Sequence, residues 1–363
     1  MIEKFNKHYV MVLGILLVSL LFCIPLFINP YHINNDTLFH VSNISVIVEE
    51  IKSNFLNGIT MRIVPNIANN FGYGTRLFYP PLIHILTAYL AYGLSFFNVS
   101  VIDAMKVMHL LVLFLSGLSM YYSAYRFSNN KLLSFISSLI YISSSYHIDE
   151  IYVRDSEAEA LLFVFLPLII TSVKELLEGN KKLFYPLFII GYVGGILSHF
   201  TMMIYFTLIL GVSMLFFYKK VFKKEFLIPF IKATILVLLL TLFFFEPLFE
   251  HKLFGNYRVY QKWVMSLGVQ HTALWGFEYF WFFAKDKIYF YLSIVTITLL
   301  VAFFKYYRNS LKDEKIKLVF LFTCFSLWLS TVYFPWIIMP YTMFMIQFGW
   351  RLVTLVILGV SFI

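Results

Sequence analysis

The 363-residue chain is 60% hydrophobic and 13% charged, with 42 phenylalanines and a mean hydropathy of +0.80. Soluble domains are about 25% charged, which excludes an ordinary water-soluble globule. The apolar runs are long and continuous, which excludes the short alternating strands of a membrane β-barrel. A net charge of +9 does not signal nucleic acid, because in a bilayer protein the placement of Lys and Arg matters more than their sum. The predicted class is an all-α polytopic membrane protein, with the lipid bilayer as its first partner.

The N-terminal stretch MIEKFNKHYVMVLGILLVSLLFCIPLF has the basic flank of a signal peptide. Its apolar run is of spanning length and no A-x-A cleavage site follows, so it reads as a retained anchor. Spans are predicted at 9–28, 107–124, 132–147, 160–173, 183–197, 200–217, 226–245, 288–304 and 318–334, with another beginning near 350. That last run is still apolar at Ile363, so the chain reads as the N-terminal portion of a longer one. Cys23 and Cys324 lie inside apolar runs and read as small packing residues.

Basic clusters separate the spans: Lys4 and Lys7; Arg126 and Lys131; Lys174, Lys181 and Lys182; Lys219, Lys220, Lys223 and Lys224; and Lys305, Arg308, Lys312, Lys315 and Lys317. The positive-inside rule assigns these clusters, and the N-terminus, to the cytoplasm. Parity then constrains residues 80–97, PPLIHILTAYLAYGLSFF. A full crossing there would turn every later basic cluster outward, so this segment is expected to dip in and return or to lie in the interface. Residues 183–217 sit between two basic loops and must cross twice, turning at Leu197-Ser198-His199. The extracytoplasmic loops become 29–106, 147–159, 198–199, 246–287 and 335–350, and they collect most of the acidic residues.

Within the first loop, Phe39, Ile44, Ile47, Val48, Ile51 and Phe55 recur at near-helical spacing, with Gly58 as a stop. The pattern predicts an amphipathic helix on the outer membrane surface. Asp36 opens this helix, and His40, four residues on, shares its face. Asp36 is either a favourable acid at a helix N-terminus or a general base at the membrane boundary, where desolvation raises a carboxyl pKa. In NNFGYGTRLFYPPLIHIL, Gly72, Gly74, Pro80 and Pro81 describe a tight turn into the next helix. Arg76 there is either part of that turn or a phosphate contact.

The stretch HIDEIYVRDSEAEA precedes LLFVFLPLII, which has no charge. Ser156 and Glu159 fit a capping box that opens the following span, while Asp149, Glu150 and Asp155 read as members of a polar loop. Arg154 has no local partner by design, and either pairs with these acids or binds a phosphate or carboxylate. Ser198 and His199 mark the turn in GGILSHFTMM, and Gln347, Trp350 and Arg351 mark the mouth of the last span. Each set is either interfacial or functional. The loop 246–287, with Trp263, Trp275 and Trp281, is large enough to cover a site.

Taken in order, NDTLFH, FGYGTRLFYPPL, YVRDSEAEALLFVFLPL, LSHF and QFGWR resemble the bacterial membrane proteins labelled 6-pyruvoyl-tetrahydropterin-synthase-related, within the GT-C class of polytopic glycosyltransferases. The family pattern has Gly where this chain has Asp155, Pro where it has Gly349, and usually Asn where it has Phe200. Nothing in the sequence supports pterin chemistry. The resemblance implies a GT-C-like helical bundle whose long extracytoplasmic first loop carries juxtamembrane helices. It also implies a polyprenyl-phosphate-linked sugar donor and an extracytoplasmic glycan, lipid or protein acceptor. Asp36 would be the catalytic base of an inverting transfer; His40, Arg76, Tyr79, Arg154, Glu159, His199 and Arg351 would be substrate-binding residues. No cofactor and no metal ligand is implied, and a need for a divalent cation is left open. The alternatives are a transporter or flippase of a lipid-linked or anionic substrate, and a non-catalytic scaffold.

Overall fold

The structure is a computed structural model that describes residues 2–28, 36–65, 67, 71–255, 298, 301–302, 305, 311–336, 339 and 348–362. The expected span 288–304 lies almost wholly outside the described residues, as do Gln347 and the three tryptophans of the second large loop. Among the described residues every regular element is a helix, apart from one isolated bridge between Val64 and Tyr73. Five helices are long and apolar enough to cross a membrane, and the chain is an all-α, multi-pass membrane protein.

The chain opens with α1 (Ile2–Ile28), followed by four shorter helices: α2 (Thr37–Ser53), α3 (Asn57–Thr60), α4 (Thr75–Phe78) and α5 (Leu82–Ser95). The expected amphipathic helix is α2, but its apolar face is covered by protein. Ile44, Ile47, Val48 and Ile51 pack with Ala88 and Ala91 of α5 and with Ala104 and Met105. Those last two belong to α6 (Val101–Ser128), the next long helix. Helix α5 has 14 residues, about 21 Å at 1.5 Å per residue, against about 30 Å of bilayer hydrocarbon.

Helix α7 (Lys131–Ile142) stops at the Ser143-Ser144 pair, short of the expected span 132–147, and a separate helix α8 (Ser145–Tyr152) follows. The polar loop expected at 147–159 is therefore mostly helical. Helix α9 (Glu157–Leu177) is central: 78% of its apolar window is buried, against 22% for α1 and 28% for α12 (Lys224–Phe254), which leaves those two facing lipid.

Helix α10 (Lys181–Leu215) contains one non-helical residue, His199, at φ −149° and ψ 85°. The Tyr192 and Thr207 hydroxyls lie 3.5 Å apart across this break. In a straight helix fifteen residues would separate them by about 22 Å, so α10 folds back on itself at the expected turn. Its first half packs closely on α9, where Gly194 lies against the Phe165 ring and leaves no room for a Cβ. The short α11 (Tyr218–Val221) leads to α12, which continues through Pro247 to Phe254. Helix α12 thus runs about nine residues into the stretch expected as the second large loop, most of which lies outside the described residues. Helix α13 (Glu314–Leu329), a 3-10 turn (Gly349–Leu352) and α14 (Val353–Phe362) complete the described residues.

The basic loops gather at one end of the bundle. Arg126 at the end of α6 pairs with Glu175 near the end of α9 at 2.8 Å, and Lys174 joins Glu175 at 3.0 Å. His8 near the start of α1 bonds Tyr121 of α6 at 2.7 Å, and Lys220 pairs with Glu314 at the start of α13. The starts of α9 and α14 and the break in α10 therefore lie together at the opposite end.

Candidate functional site

At that opposite end, four segments distant in sequence meet around Glu159, in the first turn of α9. Its Oε2 accepts from Arg154 Nη1 at 2.7 Å and from the Tyr146 hydroxyl at 2.8 Å. Its Oε1 lies 2.6 Å from Arg351 Nε and 3.3 Å from His199 Nε2. Arg154 Nη1 also donates to both oxygens of Glu150, at 2.6 and 2.8 Å. Glu150 sits on α8, four residues before Arg154, at helical ion-pair spacing. The backbone between them is wound tightly, since Val153 N, Arg154 N and Ser156 N donate to Asp149 O, Asp149 O and Glu150 O.

His199 is oriented by its own turn. The Met202 N–H donates to Nδ1 at 3.2 Å, capping the second half of α10. That bond makes Nδ1 the acceptor and assigns the ring proton to Nε2, which faces Glu159. The 3-10 turn before α14 brings Arg351 and an aromatic stack. The Phe348 and Trp350 rings are 5.1 Å apart at 14°. The Arg154 guanidinium lies 4.5 Å from the Trp350 centroid, and that of Arg351 5.1 Å from Phe348. Both positions are at cation–π distance.

Asp36 enters from the chain after α1, and its N–H donates to the Arg154 carbonyl at 3.2 Å. Burial pushes the Asp36 carboxyl above its usual range, Arg154 and Arg351 oppose that shift, and Glu159 and Asp155 add to it. Burial likewise pushes Glu150 well up, with the Glu159 charge adding to it. Burial alone would weaken the Arg154 cation, but Glu159 and Glu150 more than offset this and hold it charged. The two carboxylates on this guanidinium nitrogen differ: Glu159 has the richer set of partners, and Glu150 relies on Arg154 to oppose the upward push of burial.

Behind this cluster lie further buried polar pairs. His109 Nε2 and Asp155 Oδ1 are 2.9 Å apart, both side chains almost fully buried. Asp155 has φ +56°, a left-handed conformation that is easier for glycine. Glu157 is buried, and among the described residues neither of its carboxyl oxygens has a hydrogen-bond partner. His40 Nδ1 and His84 Nε2 are 2.8 Å apart and link α2 to α5, with Tyr79 stacked on His84 at 5.4 Å. Burial lowers His40 to about 4, against an upward pull from Asp155. Burial raises Tyr79, as do the charges of Asp36 and Glu159.

Of the residues singled out from the sequence, Asp36, Arg154, Glu159, His199 and Arg351 converge. His40 and Tyr79 stand in the layer behind them. Arg76 is not part of the cluster: its Nη1 donates to the carbonyls of Gly58 and Met61, at 2.7 and 3.1 Å, and so holds the turn of the first loop. Two local readings are corrected. Ser156 makes no side-chain capping bond, so the capping box is absent and Glu159 is turned toward cations from other segments. Glu150 and Asp155 are fully buried rather than members of an exposed loop. Arg154 pairs with the neighbouring acid Glu150, one of the two alternatives expected for it, whereas Tyr146, His84 and the His109–Asp155 pair carry no expectation from the sequence. The four-residue spacing of Glu150 and Arg154 was an available signal, as was a histidine inside the apolar run at 84. Among the described residues no group of three His, Cys, Asp or Glu is arranged to hold a metal ion.

The chain is 22% identical over 348 residues to an uncharacterized protein of Lactococcus lactis subsp. cremoris (strain MG1363), an alignment covering 92% of this chain and 55% of the relative. The chain thus spans about half the length of the curated relative it matches. No protein-family model and no solved structure matches the chain.

Proposed function

We propose that the chain is a membrane glycosyltransferase of GT-C type, akin to the 6-pyruvoyl-tetrahydropterin-synthase-related membrane proteins. It transfers a sugar from a polyprenyl-phosphate donor to an extracytoplasmic acceptor with inversion. The observation that carries this reading is the meeting of Asp36, Arg154, Glu159, His199 and Arg351 at the end of the bundle opposite the basic loops. By the positive-inside rule that end is extracytoplasmic and the N-terminus cytoplasmic.

The chemistry needs a base for the acceptor hydroxyl and cations for the leaving phosphate. Asp36, partly desolvated and next to two guanidinium groups, suits the base. It takes the acceptor proton as the acceptor oxygen bonds to the anomeric carbon. The bond from that carbon to the phosphate oxygen breaks, the lipid phosphate leaves with the electron pair, and the proton passes from Asp36 to solvent. Arg154 and Arg351 supply fixed positive charge where negative charge develops. Asp36→Asn is expected to keep the melting profile of the native protein and to abolish transfer from a polyprenyl-phosphate sugar in proteoliposomes. Unchanged transfer by that variant would refute the role of Asp36.

The buried His109–Asp155 and His40–His84 pairs support a second reading, a transporter, since titratable chains inside a bundle commonly serve proton-coupled movement. Movement of the lipid-linked sugar across intact vesicles without a new glycosidic bond would favour it.

A further inference from the structure

The ion pairs around Arg154 are not equally replaceable. Glu159 touches Tyr146, His199 and Arg351 besides Arg154. The side-chain bonds of Glu150 among the described residues go to Arg154 Nη1 alone. Glu150 is also fully buried. An anion that engages the Arg154 guanidinium must therefore compete with Glu150, and Glu159 keeps its other three partners. A carboxylate left buried and unpaired is too costly to persist as an ion, and it neutralises by taking a proton.

We propose that Glu150 is the proton-exchanging counter-ion of the site, so that binding of a phosphate-type anion at Arg154 is coupled to protonation of Glu150. This rests on the anion-binding part of the function proposed above and adds its regulation: the site takes up a proton with the anion and gives it back when the anion leaves. The groups facing Glu150 are Tyr146 on its own helix, Arg154 in the link to α9, Glu159 on α9 and Arg351 on the 3-10 turn, with His199 of α10 beyond Glu159. Of these, Arg154 stays cationic over the pH range used below.

The test uses the full chain in lipid nanodiscs and a short-chain polyprenyl methyl phosphate. As a phosphodiester, the probe keeps one negative charge from about pH 6 to about pH 9, a range in which carboxyls of ordinary pKa do not titrate. One linked proton makes the affinity of the native protein fall about tenfold per pH unit between the Glu150 midpoint of the free protein and its higher midpoint in the complex. The slope is expected to vanish in Glu150→Gln, which keeps the shape and removes the titration. Calorimetry of the native protein in two buffers of different ionisation enthalpy supplies an independent measurement. It should register uptake of about one proton per bound anion between those midpoints. Binding with no pH slope and no proton uptake would overturn this inference and leave the proposed function standing, as would a slope that persists in Glu150→Gln. Failure of the probe to bind at any pH would overturn both.

Discussion

Glu159 is the residue on which the site turns, because one buried carboxylate accepts hydrogen bonds from Arg154 and Tyr146 and lies at ion-pair distance from Arg351 and His199. Removing its charge leaves Arg154 and Arg351 short of a partner in a buried setting, a change that typically costs about 3–5 kcal/mol. Glu159→Gln is therefore expected to lower the unfolding midpoint sharply in detergent, and far more than Glu49→Gln, whose pair with Lys52 is exposed. Equal effects of the two variants would contradict a central role for Glu159. Asp149, next to Glu150 on α8, is a different case: burial raises its carboxyl to about 7. A folded-state pKa above the unfolded one means that the native state holds its proton longer. This carboxyl therefore subtracts increasingly from stability as pH rises from about 4 through about 7. Asp149→Asn should raise the melting temperature more at pH 8 than at pH 5, as read by thermal scans at both values.

At the scale of the helix, two internal prolines are accommodated by donors from other segments. Pro167 lacks the N–H that would bond the Phe163 carbonyl, and the Tyr141 hydroxyl donates to that carbonyl at 2.9 Å. Pro247 leaves the Phe243 carbonyl without its helical donor, and Arg62 Nη1 of the first loop fills the place at 2.9 Å. In a bilayer an orphaned carbonyl has no water to turn to, so these bonds tie elements together at chosen points. Arg62→Gln should cost about 1–3 kcal/mol in the native chain. In a Pro247→Ala background the helix recovers its own donor, and the same change should cost much less. A double-mutant cycle that finds the two changes additive would remove Arg62 from this role.

For the whole molecule, the sorting of charge along the sequence becomes a sorting in space. The Arg126–Glu175 and Lys220–Glu314 pairs place basic loops at one end, and the Glu159 cluster occupies the other. If the basic end is cytoplasmic, single cysteines at Gly179 and Asn129 should react with a membrane-impermeant maleimide only after the cells are opened. If residues 80–97 do not cross, a cysteine at Asn98, just after helix α5, should react in intact cells. Labelling of Asn98 from the inside would invert the proposed orientation.

Much of this architecture was legible in the residue order because its causes are local. Hydropathy selects the long apolar helices, and parity required the fold-back at His199. The same logic erred where a local motif had a distant competitor. Ser156 and Glu159 spell a helix cap, yet Glu159 gains more from two guanidinium groups brought by the fold. The acids at 149–159 resemble a solvated loop, yet Glu150 and Asp155 are buried because Arg154 and His109 meet them there. Sequence by itself determined the solvent, the helices and the segments that reach the site. Only the tertiary structure decided which charges neutralise one another, because a buried ion pair depends on partners up to nearly two hundred residues away, such as Glu159 and Arg351.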